Sequence, residues 1–360
     1  MFQKKNIHLS GLDLLRFISA AIVLFSHIII FSDIVNPHIR LNAYIMASMG
    51  VEIFFCLSGF LICRQGINIL NKKKTLIFNT YCFISRRIMR TWPAYFFCLF
   101  CYCIFYKNYS IEILPYLAFV QNLYYPMIIE SFFSVSWSIT VEEIFFFIFP
   151  FLLVCFYYIN DKFIGKLTNF NLILLVCTFI VFALFLVKSL VFYENWGSEI
   201  RRVAIFRLDA IAFGGIAYFF FYKYNKYRNF YYLNYLLFFF FSIVSYFFLL
   251  EISNQKELVN NFLGILSLLS LSISGSTLVI IFCRLEKFKS KIINQVLLNM
   301  ANISYPIYLI HTLIIDLVLR INTEGFFLNL CLVFFISIIV SLTIRYIIEE
   351  PFIRKRPEYL

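Results

Sequence analysis

LILLVCTFIVFALFLVKSL, residues 172–190, carries a single charge, Lys188, close to its end. A helix needs about 20 apolar residues to cross the hydrocarbon core of a bilayer. Comparable blocks recur at Phe145–Tyr158, Leu263–Phe282 and Phe326–Ile344. Of the 360 residues, 62% are hydrophobic and only 14% charged, with 48 Phe and 24 Tyr. A soluble domain carries about 45–50% apolar and about 25% charged residues, so an ordinary soluble fold is excluded. Lipid leaves only helices or a closed barrel, and these runs are too long for barrel strands. The chain therefore reads as an all-α, polytopic transmembrane helix bundle, a single domain over 1–360.

Spans are expected near 12–31, 44–62, 93–106, 140–157, 169–187, 203–222, 230–250, 261–282, 299–319 and 326–344, about ten crossings. The apolar stretch Ile111–Phe133 is broken by Pro115 and Pro126 and reads as a hairpin or re-entrant segment that does not change sides. No small-residue cleavage site follows the first block, which reads as a retained helix.

The net charge of +12 fits nucleic-acid binding in a soluble protein, but here it fits the accumulation of Lys and Arg in cytoplasmic loops, and no nucleic-acid partner is expected. With both termini cytoplasmic, 22 of the 31 cations fall inside and 7 outside, Lys188, Arg201 and Arg202 among the latter, leaving Arg16 and Arg207 within spans. Ten Cys lie in or beside apolar segments. Even Cys98 and Cys101, at CxxC spacing, lack metal-ligand partners, so buried thiols and no metal are expected.

Charges inside a bilayer cost about 2.5–3.5 kcal/mol each on insertion scales and usually mark function. The first span carries Asp13, Arg16 and His27. The separation from Arg16 to His27 is close to three helical turns, which puts both on one face about 16 Å apart, and Asp13 can pair with Arg16. The second span carries Glu52, Ser58 and Gly59; the fourth opens with Trp137, Ser138, Glu142 and Glu143. The sixth carries Arg207 and Asp209, as readily a structural ion pair as a site; the ninth puts Ser304, Tyr308 and His311 on one face. His311 alone reads as well as a satisfied core histidine. Because the fourth span runs from outside to inside, Glu142 is expected at the depth of His27, where a carboxylate-held imidazole is a competent general base. Arg86, Arg87 and Arg90 form the densest basic cluster, suited either to lipid headgroups or to a phosphate-rich cytoplasmic ligand.

Taken together, these residues resemble the acyltransferase 3 family of membrane-bound acyltransferases. The resemblance is carried in order by Leu12–Phe17 leading to His27, Gly50–Ile62, Arg86–Arg90 with Trp92-Pro93-Ala94-Tyr95, Trp137–Glu143 through Pro150, Arg207–Ala210, Ile303–His311 and Glu349-Glu350-Pro351-Phe352. Leu14 and Phe17 stand where many members have Gly, Glu52 where many have Asp, and Ile144 where Gln is common. The resemblance implies O-acylation of bacterial cell-surface glycans at the cytoplasmic membrane. The usual donor is acetyl-CoA, with no permanently bound cofactor. The acceptor is lipopolysaccharide O-antigen, capsular or exopolysaccharide, or peptidoglycan. It also implies that His27 and Arg16 are essential, that Arg86, Arg87 and Arg90 meet the donor and that Glu142 supports the site. An extracytoplasmic hydrolase-like domain, found in some relatives, is not expected. Direct transfer and an acyl-enzyme relay are equally compatible with these residues. A transporter or flippase for a lipid-linked glycan is the alternative, because intramembrane Arg, His and Glu suit that too.

Overall fold

The computed structural model describes residues 9–32, 36–70, 75–107, 111–123, 132–165, 167–191, 194–254, 261–285, 288–321 and 325–357. Lys4, Lys5, Lys72, Lys73, Lys74, Lys166, Lys256 and Lys287 of the charge tally, and Pro126, lie outside the described residues.

Among the described residues the elements are helical throughout, and ten helices are long and apolar enough to cross a membrane. They are built on α1 (Ser10–Phe31), α2 (Pro37–Gly66), α3 (Leu76–Tyr106), α5 (Ser136–Ile159), α6 (Asn169–Leu190), α7 (Leu208–Tyr224), α8 (Arg228–Asn254), α9 (Asn261–Cys283), α10 (Lys291–Ile321) and α11 (Phe326–Thr343), with the short α4 (Leu114–Leu117) and α12 (Glu350–Arg354) between and after them. Local sequence sets several starts. Asn36 accepts from the His38 amide ahead of Pro37 in the first turn of α2, and Thr75 accepts from the Phe78 amide at the start of α3.

The apolar windows of α2 and α10 are 72% buried and that of α8 only 11%, which makes the first two central and α8 a lipid-facing pillar. The central α2 lies unusually close to α7. A Cβ on Gly59 would stand 1.7 Å from the Ile211 carbonyl oxygen, and one on Gly214 would stand 1.9 Å from that of Cys56. Small residues permit such approaches between membrane helices, where dispersion contacts rather than water exclusion hold the pair.

Two expectations change. The third span is a helix from Leu76, not from residue 93, so Arg86, Arg87 and Arg90 project from a helix instead of a loop. Ile111–Phe133 contributes the short α4 and turns, with no long helix among its described residues, and it folds back into the bundle. Phe133 is fully buried against Tyr95 and Tyr102, and the Tyr95 hydroxyl donates to the Tyr116 carbonyl. Consequently the first residues of α5, Ser136 to Val141, are buried inside the protein, where the outer end of a span was expected.

Candidate active site

A cavity of about 490 Å³ opens at the end of the bundle where α1 begins and α2 ends. Its mouth carries Arg64, Gln65, Asn68, Arg86 and Arg356; its walls carry Asp13, Arg16, Arg87, Arg90, Ser58 and Glu142; and it closes on Ser138, Ser304 and Tyr308. Six guanidinium groups therefore face two carboxylates. Arg16 and Arg90 make no hydrogen bond to any described residue. On Arg356, Nε and one terminal nitrogen are buried without a partner. Burial, then the charges of Arg90 and Arg86, push that side chain down to about 10. A wall of six guanidinium groups is suited to a polyanion.

Arg86, Arg87 and Arg90, expected to act together, do not stand alike. Arg87 is bound to Glu142 and, at 3.3 Å, to Glu143, so its charge is spent within the protein. Glu143 is buried and also accepts from Thr91 and Trp92, both at 3.1 Å, which locks α5 to α3. Glu142 does not reach His27; its second oxygen accepts from Ser58 at 2.9 Å. The reason is the inward start of α5, which carries Glu142 past the depth of His27 toward the arginine-rich end.

Beyond Tyr308 lies an imidazole pair. The rings of His27 and His311 meet edge to face at 5.0 Å, and Tyr308 is 5.8 Å from His311. His27 Nδ1 lies 2.8 Å from the Val23 carbonyl oxygen, and His311 Nδ1 lies 2.8 Å from that of Tyr308. A carbonyl can only accept, so both Nδ1 atoms carry a proton, and each ring when neutral presents Nε2 as a lone pair. His311 Nε2 is buried with no partner, and His27 Nε2 bonds no described residue. The Ser138 and Tyr308 hydroxyls hydrogen-bond at 2.6 Å, at the boundary between cavity and histidines.

Glu52, Arg207 and Asp209 stand apart. Arg207 pairs with Glu52 and lies 3.9 Å from Asp209; Asp209 pairs with Lys188; Ser272 donates to Glu52. These groups are buried and tie α2, α6, α7 and α9 together. Lys188, assigned to an outer loop by the charge count, is fully buried here because Asp209 compensates it. Trp137 packs on Phe55 and under the guanidinium of Arg201.

Several residues escaped sequence reasoning. Arg64 and Arg356 looked like flanking positive charge, and Arg201 like an outer loop cation. No periodicity linked His311 to His27, because the two lie on different helices.

A family model described as an acyltransferase domain matches residues 9–346. No curated protein and no solved structure matches the chain.

Proposed function

The chain belongs to the acyltransferase 3 family of membrane proteins, and from that premise we propose that it moves an acyl group, acetyl by family default, from cytoplasmic acyl-CoA to a hydroxyl of a cell-surface or lipid-linked polysaccharide. One observation carries the reading: a cation-walled cavity ends one tyrosine short of two imidazoles whose Nε2 atoms bond no described residue. The arginine-rich end is then cytoplasmic, and the membrane is the bacterial inner membrane. Arg90, Arg86, Arg64 and Arg356 hold the phosphates of the donor, Arg16 lines the path of its pantetheine arm, and Arg87 keeps Glu142 and Glu143 in place.

The thioester reaches the Ser138–Tyr308 pair. His27 Nε2 takes the proton of the acceptor hydroxyl, whose oxygen attacks the thioester carbonyl. The tetrahedral adduct then expels the CoA thiolate, which collects the proton from His27. General-base help of this kind contributes about 10²–10⁴-fold. A backbone-bonded Nδ1 replaces the carboxylate as the group that orients the ring.

Purified protein in liposomes, given acetyl-labelled CoA and an envelope glycan fraction, is expected to label the glycan. A transporter would move glycan without needing CoA. Labelling that persists undiminished in a folded His27→Ala variant would end the proposal.

A further inference from the structure

Arg201 closes the π-helical turn Trp196–Arg201, between α6 and α7, and does not line the cavity. Its guanidinium lies over the Trp137 ring at 5.2 Å and the Trp196 ring at 5.6 Å. Trp196 is itself held by its indole N–H, 3.4 Å from the Gly264 carbonyl oxygen of α9. The backbone is pinned as well. The Asn122 side-chain amide donates to the carbonyls of Trp137 and Arg202, and the Asn122 backbone carbonyl accepts from the Ala204 N–H. Arg201 is thus fixed by aromatic packing, the role a carboxylate usually plays.

The carboxylates nearby are committed. Glu52 serves Arg207 and Ser272, and Asp209 serves Lys188. Neither the side chain of Arg201 nor that of Arg202 makes a hydrogen bond or ion pair with a described residue, and Arg202 Nε is buried without a partner. Burial, then the charges of Arg202 and Arg207, push Arg201 down to about 9. With aromatic rings against it, a guanidinium binds through its in-plane N–H groups, a fork matched to the two oxygens of a carboxylate or phosphate. Arg201 lies over Trp137, whose sequence neighbour Ser138 hydrogen-bonds Tyr308 beside His311. An anion held here would lie beside the proposed base, opposite the donor.

We propose that Arg201, seconded by Arg202, is the acceptor-side anion subsite, so that the glycan presented to His27 carries a carboxylate or a phosphate next to the sugar that is acylated. This rests on the acyltransferase reading above. The cations give the acceptor an orientation that a neutral sugar could not gain from the same surface, and they separate the two substrates by entry side.

The test uses the full chain in liposomes with acetyl-labelled CoA. The acceptor is the envelope glycan fraction of host cells lacking this protein, presented in three forms: untreated, with carboxyl groups reduced to alcohols, and with phosphates removed by hydrofluoric acid. Wild-type protein is expected to label the untreated fraction and to lose labelling with one treated form, which identifies the source of the charge. Arg201→Gln is expected to raise the acceptor KM about tenfold or more, against a smaller change in kcat, and Arg201→Lys to recover part of that loss. Equal labelling of all three forms by the wild type, or an unchanged acceptor KM in folded Arg201→Gln, overturns the subsite. No labelling of any form by the wild type instead overturns the acyltransferase reading itself.

Discussion

His27 and His311 face each other across two helices with ring centroids 5.0 Å apart, and each has its Nδ1 proton tied to a carbonyl of its own helix. Two neutral imidazoles then direct lone pairs into one small volume. A hydroxyl entering there can give its proton to one ring, and the positive charge that forms disfavours protonation of the other. His27→Ala is expected to lower kcat by about 10²–10⁴-fold. His311→Ala is expected to lower it too, and the double variant to fall short of the product of the two single losses, because the groups act as a unit. Steady-state kinetics on the three variants in liposomes check this; multiplicative losses would separate the two rings.

Arg87 and Arg90 are three residues apart but should fail in different ways. Arg87→Ala strands Glu142 and the buried Glu143, so a loss of about 3–5 kcal/mol in stability is expected. Arg90→Ala leaves no such pair broken and should chiefly raise the donor KM. Thermal denaturation in detergent beside the KM for acetyl-CoA distinguishes them. Equal destabilisation by both substitutions would contradict the assignment.

The quartet of Glu52, Arg207, Asp209 and Lys188 is a structural tie by this account. Lys188→Met is expected to destabilise by about 3–5 kcal/mol, since Asp209 is left buried without that counter-charge. Lys188→Met with Asp209→Leu should recover part of it, because removing both partners of a buried pair costs far less than removing one. Melting temperatures of the single and double variants decide; a double variant worse than either single would point to a role for the charges themselves.

Gly59 sets how closely α2 meets α7. Gly59→Ala places a methyl 1.7 Å from the Ile211 carbonyl oxygen, a contact that only backbone movement relieves. Such overpacking costs about 1–3 kcal/mol or more. The same shift displaces Ser58, which holds Glu142, so activity should fall with stability. Protein yield, melting temperature and turnover of Gly59→Ala test both halves. Turnover that survives a large stability loss would sever that link.

Much of this architecture is written locally in the chain. Hydropathy depends only on neighbours along the sequence, so ten helices long and apolar enough to cross a membrane, and the helical class of the described residues, could be read from apolar runs. The intramembrane polar residues were equally visible, because each violates the composition around it. What they bind was not visible. Ser58 meets Glu142 from 84 positions away and Ser138 meets Tyr308 from 170, separations over which no helical period carries information. The depth of Glu142 hung on a segment that folds back and starts α5 inside the bundle, which moved that carboxylate from His27 to Arg87. Lys188 and Arg201 reverse the same lesson: each looked like a loop cation, and only packing from other helices made one a buried ion-pair partner and the other a cation held between indoles. Residue type and membrane crossing follow from local free energy of transfer, whereas partnership follows from the angles and close approaches at which helices distant in sequence meet.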